Sequence, residues 1–262
     1  QKEVMKMLTE ERYTTILAIL AERKAITVPE LTKLLKTSES TIRRDLTVLH
    51  SRGKLHKVYG GATSIDTNYS ADEADVLTKN DLNKESKIAI ARLAAKLIGP
   101  NDFVYLDAGT TTEWMIDFIN VNHATFVTNG MGHAMKLAFK GYTTYIVSGR
   151  VKTTTAAIVG SETIENIKKY NFTKGFFGTN CISIKAGFTT PDVSEGAVKN
   201  EAILRCEKCY VLADASKFNK IAPITFANLS SATIITDKLK DKKYRDYTNI
   251  IEVENHDLHG NV

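Results

Sequence analysis

The amino-acid sequence predicts an α/β protein in two parts: a small helical unit closed by two short strands, then a larger domain built on a mostly parallel sheet. Three observations predict it. Within residues 8–62, three amphipathic stretches at helical spacing are separated by short turns. Residues 63–80 are polar and acidic with little periodicity, the composition of a linker. Residues 81–254 alternate short apolar runs with helical patterns, and several of the runs end in loops of small and hydroxylated residues.

In the first part, Tyr13, Ile16, Leu17, Ile19 and Leu20 recur at helical spacing between Thr9 and Glu22 and predict a first helix. Thr27-Val28-Pro29-Glu30 opens a second: the Thr caps, Glu three residues on completes a capping box, and Pro is tolerated in the first turn. Leu31, Leu34 and Leu35 supply its buried stripe. After a turn at Lys36-Thr37, Ser38 caps a third helix whose stripe is Ile42, Leu46 and Leu49 and whose stop is Gly53. Ser40, Thr41, Arg43 and Arg44 stand on its outward side near the start, where they can reach phosphate oxygens and base edges. Three short helices with a tight turn before the last is the helix-turn-helix plan, and the last helix is the one that enters the major groove. Residues 54–62 alternate polar and apolar and close on Gly60-Gly61, a small strand pair, or wing, that can lay Lys57 and Tyr59 along the DNA backbone or into the minor groove.

Charge agrees with this division. The net charge of the 262 residues is +5, with 12 Lys and Arg against 7 Asp and Glu in residues 1–62 and 23 against 23 in the rest. A basic module on a neutral body is the asymmetry of a nucleic-acid-binding protein. Cys181, Cys206 and Cys209 are too few for a disulfide framework, and the Cys206/Cys209 spacing has no second pair or neighbouring His to complete a tetrahedral site. No metal and no cofactor is expected. No apolar run reaches the roughly 18 residues of a membrane span and no signal-peptide pattern opens the chain, so a cytoplasmic protein without a membrane partner is expected. The segment Gln1-Lys2-Glu3-Val4 before Met5 is expected to be an added leader outside the fold.

The run Ser40-Thr41-Ile42-Arg43-Arg44-Asp45-Leu46, followed by Gly53-x-Leu55 and Gly60-Gly61-Ala62, closely resembles the amino-terminal signature of the DeoR family of bacterial transcriptional regulators. That family usually carries Arg where this chain has Lys57 and His where it has Tyr59; both replacements keep a donor, but Lys loses the bidentate fork. Asp45 would repel phosphates, so its expected role is to orient Arg44 or another neighbouring basic residue.

In the second part, Ile88, Ala89, Ala91, Leu93, Ala94, Leu97 and Ile98 make a helical face ended by Gly99-Pro100. The runs 103–106, 125–128, 144–148, 174–178, 209–214 and 233–236 read as strands. Asp107-Ala108-Gly109-Thr110-Thr111-Thr112 joins a strand to a helix start and presents backbone N–H groups and hydroxyls at a positive helix terminus, an anion cradle that lacks the spacing and Lys of a nucleotide P-loop. The loops after the other strands offer hydroxyls, an amide, glycines and charges, which suits a small polyhydroxylated anion bound at the carboxyl ends of the strands.

The resemblance extends over this half through Asp107-x-Gly109-Thr110-Thr111, Thr128-Asn129, Gly149-Arg150, residues 178–199 with Glu195 and Lys199, and Ala213-Asp214-x-Ser216-Lys217-Phe218. It implies a sensor domain similar in fold to ribose-phosphate isomerases and CoA transferases that senses a phosphorylated sugar or polyol. It also implies basic effector residues at Lys79 and Lys87. Gly196 stands where the family usually has Ala, and Cys181 interrupts a stretch that is usually Gly. By charge, Gly109, Thr110 and Thr111 with Lys79, Lys87 or Arg150 suit the phosphate, Asp107, Asn129 and Asp214 suit sugar hydroxyls, and Lys217 can join either group. Tyr142, Phe188 and Phe218 are possible lining residues, although aromatics in a domain of this size are more often core.

The expected function is that of a repressor of a sugar-utilisation operon, associated with the nucleoid through double-stranded operator DNA, with a phosphorylated sugar as effector. It should act as a homodimer or homotetramer, because one recognition helix covers too few base pairs for useful specificity. The alternative is a sugar-phosphate isomerase-like enzyme with a DNA-binding appendage, using Asp107, Glu195 or Lys199 as acid and base. Residues 40–62 would have no purpose in such an enzyme, and no paired carboxylates stand at a convincing spacing.

Overall fold

A computed structural model of the chain describes residues 8–23, 25–58, 60–64 and 82–254. The chain divides into two compact units, residues 1–68 and 69–262.

The first unit runs α1 (Thr9–Arg23), β1 (Ala25–Thr27), α2 (Val28–Leu35), α3 (Glu39–Ser51), β2 (Leu55–Val58) and β3 (Gly61–Ser64). Thr27 caps α2 with a complete capping box: its hydroxyl accepts the Glu30 N–H, and the Glu30 carboxylate accepts the Thr27 N–H at 2.9 Å. Lys36, at φ 48°, ends α2 in the left-handed region. Ser38 caps α3 by accepting the Thr41 N–H, and Gly53, at φ 64°, turns the chain away after it. Ile16, Leu20, Leu31, Ile42, Leu46 and Leu55 fill the core, each buried side chain worth roughly 1.5–3 kcal/mol.

Two features differ from the sequence reading. The wing has three antiparallel strands in the order β1-β3-β2, not two. Gly61 permits the extra pairing, since a Cβ there would lie 2.3 Å from the Ile26 carbonyl oxygen; three residues of β1 are too short to show a strand period. Asp45 does not orient Arg44. It is buried on the inner side of α3 and takes two hydrogen bonds from Arg12 of α1, at 2.5 and 3.0 Å.

The second unit continues with α4 (Lys84–Ala95), β4 (Phe103–Leu106), α5 (Thr110–Phe118), β5 (Thr125–Thr128), α6 (Met131–Phe139), β6 (Thr143–Ile146), β7 (Arg150–Lys152), β8 (Ala157–Val159), α7 (Ser161–Ile167), β9 (Phe172–Gly178), β10 (Cys181–Ser183), β11 (Gly187–Thr190), α8 (Val193–Leu204), β12 (Cys206–Leu212), β13 (Ile224–Ala227), β14 (Thr233–Thr236) and β15 (Ile250–Glu252). Seven strands form one parallel sheet in the order β15-β14-β12-β9-β4-β5-β6. Alternate residues feed two cores: Tyr105, Phe177, Val211 and Ile234 one, and Val104, Phe176, Leu212 and Ile235 the other. Both faces are therefore covered, which is why these strands read as continuous apolar runs.

The strand expected over 144–148 is Thr143–Ile146, and its chain leaves through Gly149 at φ 141°. The β7–β8 hairpin and the antiparallel sheet β10-β11-β13 were not anticipated. The sheet's order places the first strand, β4, between β5, which follows it, and β9, which comes much later. Chain direction across the sheet reverses there, and a crevice opens outside the carboxyl ends of the strands at such a reversal.

Candidate functional site

In the first unit the polar face of α3 and the wing are joined. The Ser38 hydroxyl lies 3.0 Å from that of Ser40 and 2.9 Å from that of Thr41, so Ser38, Ser40 and Thr41 form one cluster at the exposed start of the helix. Arg43 and Arg44 are exposed, and Glu39 holds Arg43 at 3.3 Å. Lys57 on β2 donates to the Thr47 hydroxyl at 2.8 Å, and its backbone N–H donates to His50 Nδ1 at 3.4 Å. The wing is thus fastened to α3 by side chains that both contribute. Glu39, Thr47 and His50 were missed in the sequence; their signal was one helical turn of spacing from residues already singled out. Tyr59 lies outside the described residues.

In the second unit a cavity of about 250 Å3 opens at the sheet reversal. Four neighbouring strands end in its wall: β4 in Ala108 and Gly109, β9 in Gly178, Thr179 and Asn180, β12 in Asp214 and Lys217, and β5 in Gly130 to His133. Gly109 is the N-cap of α5 and has no side-chain cap; its own N–H donates to His133 Nε2 at 3.4 Å, which leaves the amides of Thr110 and Thr111 at the helix start. Those amides carry partial positive charge toward the cavity. The Thr112 hydroxyl stabilises the turn from behind by donating to the carbonyls of Asp107, at 2.6 Å, and Gly109, at 2.8 Å.

Three lysines and three carboxylates also line the cavity: Lys87, Lys199 and Lys217, with Glu113, Glu195 and Asp214. Asp107 lies directly behind Lys199, which pairs with it and donates to the Gly178 carbonyl at 3.2 Å. Burial raises the Asp107 carboxyl against the opposing pull of Lys199 and the Gly178 N–H. Glu195 accepts from Thr155 at 2.7 Å and from Lys152 at 3.3 Å, which fastens the β7–β8 hairpin to the start of α8. Asp214 caps the turn that follows β12 and accepts from Asn83 Nδ2 at 3.0 Å. The Lys217 side chain makes no hydrogen bond or ion pair among the described residues, which leaves its ammonium for an anion. Asp214 and Lys217 form no ion pair with each other; the Lys217 backbone N–H donates to the Asp214 carbonyl at 3.1 Å.

Other residues named from the sequence stand further back. Thr128 accepts the Gly130 N–H, and Asn129 accepts from the Ala108 N–H at 2.8 Å and donates to the Ile158 carbonyl. Both are buried and spent on shaping the loops. Arg150 is exposed at the start of β7, after Gly149 at φ 141°, and is not among the residues that line the cavity, where the sequence reading expected a phosphate contact. Lys79 lies outside the described residues. Tyr142, Phe188 and Phe218 pack on Phe126, Phe226 and Tyr244 and do not line the cavity.

His133 was missed. Its Nε2 lies 3.1 Å from both the Gly109 carbonyl and the Thr112 hydroxyl, bridging the loops after β4 and β5. Burial lowers its pKa to about 4, so the imidazole is neutral at pH 7. Gly130 makes room for the ring, since a Cβ there would lie 2.5 Å from Nδ1. Among the described residues no group of three or more His, Cys, Asp and Glu is placed to hold a metal ion, and no helix is long and apolar enough to cross a membrane.

Comparison with known proteins decides the family. A DeoR-like helix-turn-helix domain is matched over residues 12–68, and a DeoR C-terminal sensor domain over residues 82–238. The chain belongs to the DeoR family of transcriptional regulators. Within that family it is 41 % identical over 242 residues to an uncharacterised HTH-type transcriptional regulator, FruR, of Bacillus subtilis, covering 92 % of this chain and 96 % of the relative. It is 31 % identical over 253 residues to the lactose phosphotransferase system repressor of Streptococcus mutans, covering 95 % of this chain and all of the relative. These relatives are named as regulators, not as enzymes. A ribose 5-phosphate isomerase from Methanocaldococcus jannaschii is also similar, at 14 % identity and a TM-score of 0.38 over 52 % of this chain and 55 % of that one. The DeoR sensor match contains the whole cavity wall, and the DeoR-like helix-turn-helix match contains α2, α3 and the wing.

Proposed function

We propose that the chain represses a sugar-utilisation operon by binding double-stranded operator DNA through α3 and the wing, and that a phosphorylated sugar bound in the cavity sets its DNA affinity. The observation that carries the effector assignment is the uncapped start of α5 facing the uncommitted Lys217 across a cavity at the sheet reversal. A phosphate seated on the Thr110 and Thr111 amides has Lys217 and Lys87 as cations. Asp214, Glu195 and Asn180 then take sugar hydroxyls, while Asp107, Lys199, Thr128 and Asn129 hold the wall in shape. The name of the Streptococcus relative supports a sugar-linked role. The protein acts in the cytoplasm as a homodimer or homotetramer, the arrangement that lets two recognition helices read one operator.

Calorimetric titration of the full chain with sugar phosphates, the matching free sugars and inorganic phosphate tests the assignment. A sugar phosphate should bind at least tenfold more tightly than its free sugar, and Lys217→Ala should erase most of that difference. Equal affinity for the free sugar, or a Lys217→Ala protein that binds as the parent does, contradicts it.

A further inference from the structure

The two edges of the seven-stranded sheet are finished differently. At β15, Arg245 donates to the Ile250 carbonyl at 3.1 Å and pairs with Glu252, so a charged side chain covers the strand. That is a common protection of an open edge. At the other end β6 pairs with β5 alone, and no described strand pairs with its free edge. Tyr145 and Ile146, on opposite faces of β6, are 51 % and 47 % exposed. A strand of an all-parallel sheet is ordinarily covered on both faces.

The helix beside this edge is also bare. Met131, Met135 and Phe139, spaced four residues apart along α6, form one stripe with exposures of 41 %, 59 % and 83 %. The lysines of this segment are turned away: Lys136 pairs with Asp117 at 2.7 Å, and Lys140, which caps the helix, donates to the Ile116 and Asp117 carbonyls at 2.7 and 2.9 Å. The stripe is left apolar, with no acidic residue on α6. With Val151, half of the large exposed apolar side chains of the described residues fall between 131 and 151.

We propose that the α6 stripe and the free β6 edge are the docking surface for a second copy of this chain. An unpaired strand edge fits another extended backbone, and a two-fold arrangement sets β6 against β6 and stripe against stripe. A self-contact must not oppose like charges, and along α6 the turning away of Lys136 and Lys140 removes that cost. The same helix begins in the cavity wall, where Met131 and His133 line it, so a ligand that shifts the start of α6 acts on the contact. The proposal rests on the oligomeric part of the function proposed above and is independent of DNA and effector.

The test is the solution mass of the full chain by light scattering at tens of micromolar, without DNA or ligand. The parent should be a dimer or a multiple of one. Phe139→Glu and, separately, Ile146→Lys should halve the mass while the circular dichroism stays unchanged. Leu204→Glu, at an exposed apolar position on α8, should leave the mass as it is. A monomeric parent overturns the proposal and leaves the face to a different protein. So does an assembly that survives both folded variants, or one that Leu204→Glu dissociates.

Discussion

Asp45 and His133 show how single polar residues are committed to structure in each unit. The Asp45 carboxylate is buried against the Arg12 guanidinium, so removing it strands a buried charge. Asp45→Ala should therefore lower unfolding free energy by about 3–5 kcal/mol in urea titration, whereas the double change Arg12→Met with Asp45→Leu should recover most of it. A loss below about 1 kcal/mol for Asp45→Ala would show that the pair carries no such role. His133 predicts a pH dependence. Its folded-state pKa is depressed to about 4, below the unfolded value near 6.5, so the unfolded chain binds a proton that the folded chain refuses. Stability is unaffected above about pH 6.5 and falls as pH drops from there toward 4, by roughly 3 kcal/mol in all. His133→Gln should flatten that slope in denaturation series between pH 7 and 4; an unchanged slope would assign it to other groups. Neither partner was legible in the sequence: Arg12 is 33 residues from Asp45, and a lone histidine carries no local signal of the loop it will bridge.

At the scale of elements, what the sequence showed was local. The capping box at Thr27 and Glu30, the Ser38 cap and the Gly53 stop depend on contacts within a few residues, and each stands where its spacing implied. The strands of the parallel sheet were legible because both faces are buried, which makes each an apolar run. The β7–β8 hairpin was not, because its strands are three residues long and Thr155 is held at the cavity wall by a contact with Glu195, 40 residues on. Half of the cavity wall was therefore visible as loops after strands, and the rest depended on long-range packing. The exposed face of α3 makes a quantitative prediction. Arg43→Ala and Arg44→Ala should each reduce the slope of log affinity against log salt by about one where the side chain contacts phosphate, and should relax sequence preference where it contacts a base. If neither affinity nor slope moves in fluorescence anisotropy, α3 is not the DNA-reading helix.

For the whole molecule, the DeoR-family architecture puts a helix-turn-helix domain and a sensor domain in one chain, and the proposed regulation requires only that operator and effector occupancies share free energy. No bond need be made or broken. A ligand that binds one arrangement of the assembly more tightly shifts its population, and the same factor that changes operator affinity must change ligand affinity in return. The most direct test of this account is the anisotropy-detected affinity of the full chain for a fragment of its own promoter region, at fixed salt, with sugar phosphates added one at a time. The account predicts that one sugar phosphate changes the affinity by about fivefold or more, while its unphosphorylated counterpart does not. Salt-sensitive DNA binding that no sugar phosphate shifts would contradict the coupling, and the absence of salt-sensitive binding would contradict the DNA-reading role itself.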